Sequence, residues 1–204
     1  MAITKTQEAS TTNPLLAITA IAANTQQLYA EQDVSSWDAM LFCIFHAPDS
    51  VTTPTKGTAY IIEGSIETSG NSSWTPVTSF VTGLTASTKF DLDGTEAVGQ
   101  TVIEESATTG ITVSEWVFFK DAVLANSEWR YVVALSANTS FTIGDALTNE
   151  HLNTTDVYTK AEVFRAAIDC GNWKRIRARC DNNYGAGTSI AINARVLAEL
   201  VKYR

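Results

Sequence analysis

From Arg175 to Cys180 the chain reads Arg, Ile, Arg, Ala, Arg, Cys, a strict alternation of basic and apolar residues. Successive side chains of an extended chain point to opposite faces, so this run predicts a β-strand with one apolar and one basic face. The apolar face needs a second layer and the basic stripe needs a partner. Asn182-Asn183-Tyr184-Gly185 then reads as a turn, and Ile190, Ile192, Ala194, Val196 and Ala198 alternate with Asn193 and Arg195. That pattern predicts the returning strand of a hairpin running from Trp173 to about Tyr203. The expectation is an all-β structural or binding protein rather than an enzyme.

Similar signals recur upstream. The apolar residues between Pro14 and Tyr29 suggest short strands, with a helix as the alternative because their spacing is mixed. Trp37 to Phe45 predicts a dense apolar strand, and Tyr60 to Glu67 a half-exposed one. Ser69-Gly70-Asn71-Ser72 supplies a turn, and the stretch to Gly83 completes a hairpin. Four short strands follow, over 101–105, 111–120, 129–135 and 141–143; such spacing suits a small barrel. Val157 to Cys170 fits either period, with a strand preferred to a helix.

The fold expected from these segments is a jelly-roll-like β-sandwich with an inserted small β-barrel or hairpin module. Its parts are an N-terminal arm over 1–13, a discontinuous sandwich over 14–90 and 154–204, and the insert over 91–153. The last strand is expected to return beside the N-terminal one. A chain of 204 residues has room for a β-domain of about 150 residues plus such a module.

Charged residues make up only 18% of the chain, so the surface is weakly charged and suited to neighbours. The net charge of -8 argues against general nucleic-acid binding, which needs concentrated positive charge. No run is long and apolar enough to span a bilayer, and the N-terminus lacks the pattern of a secretion signal, so a soluble chain without membrane contact is expected. Cys43, Cys170 and Cys180 have no metal-ligand spacing and read as buried free thiols, with a Cys170–Cys180 disulfide as the alternative.

Catalytic and metal chemistry find little footing. His46 and His151 are far apart, the first expected at a partly buried strand end and the second in a surface loop, and neither has zinc-site neighbours. Asp91 and Asp93 do not complete a calcium loop, and Glu104 and Glu105 would point to opposite strand faces. Gly185-Ala186-Gly187 lacks the lysine of a phosphate loop. Five tryptophans, Trp37, Trp74, Trp116, Trp129 and Trp173, are scattered through strand-like segments. Core and interface anchoring is favoured over a sugar-stacking platform, and two or more rings lining one groove would reverse that preference. No catalytic residue, cofactor or metal site is expected. Arg175, Arg177 and Arg179 are the candidate protein interface, because a guanidinium pairs directionally with a partner carboxylate; an ordinary solvated strand face is the alternative.

The segments WDAMLFCIFHAP at 37–48, GNSSWTPVTSFVTG at 70–83, ATTGITVSEWVFFKDAVLANSEWRYVVAL at 107–135 and WKRIRARCDNNYGAG at 173–187 together resemble bacteriophage virion proteins of the capsid decoration or cement type. The resemblance implies a noncatalytic protein on the outer capsid surface of the virion, bound to the major capsid protein and stabilising contacts between capsomers. It carries no active-site residues. A homo-oligomer is expected, with a trimer preferred. A phage tail or head-to-tail adaptor and a glycan-binding module on the virion are the alternatives.

Overall fold

The computed structural model describes residues 5–6, 14–70, 73–105, 108, 110–137 and 139–203. The chain is all-β, in two sheets, with a single 3-10 turn at Leu124–Asn126 among the described residues. Of the segment Val157 to Cys170, all but Cys170 is in a strand, as is Pro14 to Ile21. Of the expected arm over 1–13, only Lys5–Thr6 is described, and the rest of that expectation lies outside the described residues.

The strands of the larger sheet are β1 (Lys5–Thr6), β2 (Pro14–Ile21), β5 (Ala39–Pro48), β8 (Lys89–Asp91), β9 (Val102–Glu104), β10 (Trp116–Lys120), β11 (Glu128–Ser136), β12 (Ser140–Ile143), β13 (Asp156–Asp169) and β15 (Ile192–Tyr203). Its spine runs β15-β5-β13-β10-β11-β12-β9, with β1 and β2 beside β15 and β8 beside β13. The smaller sheet is built from β3 (Gln26–Leu28), β4 (Gln32–Asp33), β6 (Ala59–Ser65), β7 (Thr75–Val81) and β14 (Arg175–Asp181), with β3 and β4 on one side of β14, and β6 then β7 on the other. All pairings are antiparallel.

Alternation explains the layering. Met40, Phe42 and Ile44 of β5 and Ile192, Ala194 and Val196 of β15 face Tyr60 and Ile62 of β6 and Ile176, Ala178 and Cys180 of β14 in one buried cluster. Burying each large apolar side chain of this set contributes about 1.5–3 kcal/mol relative to leaving it exposed. Gly64 continues the inward face of β6, and Trp173 occupies the space a side chain would take.

The expected C-terminal hairpin does not form. β14 lies in the smaller sheet and β15 in the larger one, so residues 182–191 carry the chain across the core from one layer to the other. Asn182 holds this crossing through its side-chain amide, which donates to the carbonyls of Ala22 and Ile190, while its carbonyl accepts from Thr58 Oγ1. Alternation defines which face of a strand is apolar but not which strand lies beside it. β15 does return beside the N-terminal strand, pairing with β2 and, at its far end, with β1.

The segment between β8 and β13 extends the larger sheet. β10 pairs with the first half of β13 while β5 pairs with the second half. Leu92, Ile103, Ile111, Val117, Phe119, Val132, Phe141, Ile143 and Leu147 join Val157 in a second core. β9 is the last strand of this path, with no pairing beyond β12 among the described residues.

Candidate functional site

Arg175, Arg177 and Arg179 sit on the outer face of β14, directly opposite Ser65, Glu63 and Ile61 of β6. Glu63 is buried and serves two of them: Arg177 Nε donates to Oε2 at 2.8 Å and Arg179 Nε to Oε1 at 3.3 Å. Arg175 pairs with Glu31, and also donates to the carbonyls of Glu67 at 2.9 Å and Gly70 at 2.6 Å. The Trp74 ring lies over the stripe, 4.0 Å from the Arg177 guanidinium carbon and 4.9 Å from that of Arg175. Their side chains are 10, 14 and 24% exposed in chain order, so this is not an ordinary solvated strand face. Arg177 spends only Nε on Glu63, and its terminal nitrogens have no hydrogen-bond acceptor among the described residues.

The other candidate residues are dispersed. His46 lies near the end of β5, buried, with Nδ1 2.9 Å from Tyr60 Oη, and burial pushes its pKa down to about 3. His151, expected in a surface loop, is fully buried, stacked on Phe119 with Nε2 2.7 Å from Glu128 Oε1. The bridge between Glu96 and His151 pulls it inward, a cross-strand contact that its polar sequence neighbourhood conceals. Burial alone would raise the Glu128 carboxyl, but hydrogen bonds from His151 and Thr148 and the nearby Arg130 charge outweigh it and hold the group low.

The three thiols are free. Cys170 and Cys180 are buried, and burial pushes them up to about 11 and about 12. Cys43, expected in the core, is instead half-buried beside Arg165, because it falls on the outward-facing phase of β5. Among the described residues no group of three or more His, Cys, Asp or Glu is placed to hold a metal ion.

The tryptophans serve different clusters. Trp37 and Trp173 pack on the main core, Trp116 and Trp129 on a third cluster around Phe118, and Trp74 on the arginines. A cavity of about 390 Å³ opens between the ends of the sheets, and Trp116 is its only tryptophan. His46, Lys56, Thr82, Lys160 and Glu162 also line it. Sequence spacing could not reveal this cavity, because its walls come from segments far apart in the chain.

No family model and no curated protein matches the chain. Solved structures weakly similar to it include two viral ones. VP17, a capsid protein of bacteriophage P23-77, is 8% identical over 90% of each chain with a TM-score of 0.21. The structure of infectious bursal disease virus Gt strain is 7% identical over 96% of this chain and 43% of that one, with a TM-score of 0.24. At those scores neither likeness carries an argument about this chain.

Proposed function

We propose that this chain is a noncatalytic bacteriophage capsid protein of the decoration or cement kind, bound to the major capsid protein on the outer shell. The strand order carries this reading. With the strands between β8 and β13 set aside, β2-β15-β5-β13 faces β3/β4-β14-β6-β7, each sheet drawing on both halves of the chain. That interleaving favours an eight-stranded jelly roll, an architecture used by viral capsid domains. The separate core around Phe119 and Phe141 favours residues 91–153 as an inserted unit. The same strand order also favours a second reading, in which the chain is a shell-building subunit.

Arg175, Arg177 and Arg179 with Trp74 form the proposed contact face. The open donors of Arg177 would take a carboxylate of the capsid partner, as a directional charge-assisted pair. Edges at β7 and β9 that have no strand partner among the described residues favour assembly of like copies, a trimer being preferred. The test adds purified protein to phage particles stripped of it and measures occupancy after sedimentation. Saturable rebinding to the intact shell, lost in Arg177→Ala with an unchanged circular dichroism spectrum, is the expected result. Failure to rebind a closed shell, with incorporation only during shell assembly, would favour the shell-building subunit instead.

A further inference from the structure

We propose that the cavity between the sheet ends is a binding site for a small carboxylated saccharide. Three features of its wall point to a ligand.

The first feature is backbone strain. Among the described residues, Asn24, Ser114 and Lys160 are the only non-glycine residues with positive φ, and the latter two, at 72° and 59°, both line this cavity. Left-handed backbone at a non-glycine residue is uncommon, and it concentrates where a side chain must be aimed. The β10–β13 register breaks between Trp116 and Phe118, beside Lys160, so the strand pair bulges at the cavity wall. Lys160 Nζ is held there by both oxygens of Glu115, at 2.6 and 2.7 Å.

The second feature is a buried cation without a counter-ion. Lys56 lines the cavity and is 8% exposed, yet its ammonium is bonded only to the side-chain carbonyl of Asn183, and no carboxylate lies within ion-pair distance among the described residues. Buried charges are ordinarily paired. In a chain with 22 acidic and 14 basic residues, an acidic partner would be easy to supply from within. Two of the three ammonium protons are therefore open to an anion entering the cavity.

The third feature is the remaining lining, which suits hydroxyls and a ring face rather than a purely apolar molecule. Thr82 and Thr85 bring hydroxyl groups, and Trp116 and Phe164 bring aromatic surface. Glu162 and His46 are direct cross-strand partners at the back. Glu162 accepts from Gly83 N at 2.8 Å. The cavity volume lies within the range of about 300–1,000 Å³ usual for small-molecule sites.

The test titrates the full chain with glucuronate, glucose and acetate, following backbone amide and indole resonances together with saturation transfer to ligand protons. Glucuronate is expected to shift the Trp116 indole and the amides of Lys56 and Glu162 saturably, with transfer to its ring protons. Glucose and acetate should each bind at least about tenfold more weakly, because each lacks one half of the recognised chemistry. Lys56→Gln should weaken glucuronate by about tenfold or more while leaving the circular dichroism spectrum unchanged. Absence of saturable shifts or ring-proton transfer with the wild-type chain would overturn the site, whatever the variant does. Glucose binding as tightly as glucuronate would overturn the role of Lys56, and acetate doing so would overturn the saccharide.

Discussion

Glu63 and Arg177 are direct cross-strand partners on β6 and β14, with Arg177 Nε donating to Glu63 Oε2 at 2.8 Å. Arg179 shares the same carboxylate, and Trp74 covers the pair. One buried acid therefore compensates two guanidiniums on the outer face of the smaller sheet. The consequence is an asymmetry between the two sides of the pair.

Removing the acid should be worse than removing one base. Glu63→Ala strands Arg177 without a carboxylate and leaves Arg179 with only Asp181 at 3.8 Å, and should cost about 3 kcal/mol, since breaking a buried pair from one side strands the other charge. Arg177→Ala leaves Glu63 with Arg179 and should cost roughly half as much, including its contact with Trp74. Urea unfolding midpoints at constant slope would measure both. Equal losses would contradict the shared carboxylate.

Gly64 is required by its neighbour. A Cβ there would lie 2.4 Å from the Trp173 ring, so Gly64→Ala should destabilise by about 1–3 kcal/mol through overpacking. Trp173→Leu should recover part of that loss when combined with Gly64→Ala, and a double-mutant cycle would show it. Additive losses would mean the ring does not occupy that space.

Acid should destabilise the chain through two buried groups, His46 and Glu128. His46 stays neutral in the fold down to about pH 3, whereas the unfolded chain protonates it near pH 6.5. The unfolded state therefore binds the extra proton in that window, and stability falls as pH drops from about 6.5 toward 3, by up to about 1.4 kcal/mol per pH unit. Glu128 adds a second loss. Its folded pKa is lowered, so its contribution is present above its unfolded value and disappears as pH falls through the folded one. Comparing wild type with His46→Gln at pH 7 and pH 5 tests the His46 contribution, and an unchanged pH slope in the variant would refute it.

Thiol reactivity should follow burial. Cys43 should react with a disulfide reagent in the native state, slowly because its pKa is raised by burial, while Cys170 and Cys180 react only after denaturation. Native labelling that reached all three cysteines would contradict the burial of Cys170 and Cys180 in the main core.

The faces of individual strands were legible in the sequence, whereas their partners were not. Arg175 to Cys180 declared both faces of β14, and Ile176, Ala178 and Cys180 are indeed fully buried. Nothing local to that strand points to Glu63, which reaches it only through the fold. The segment from Asn182 to Ile190 carries turn residues and so imitates a hairpin, but Asn182 uses them to change sheets. His151 sits among polar residues and looks like loop, and its burial depends on strand contacts with Glu96 and a ring contact with Phe119. The cavity was invisible for the same reason, since Lys56, Ser114 and Lys160 meet only after both sheets have assembled.

Electron cryomicroscopy of intact virions carrying this chain decides its place on the phage shell. Density for the two-sheet domain is expected on the outer capsid surface, with the Arg177 and Trp74 face turned toward the major capsid protein. Density confined to the tail tube or the portal would contradict that placement.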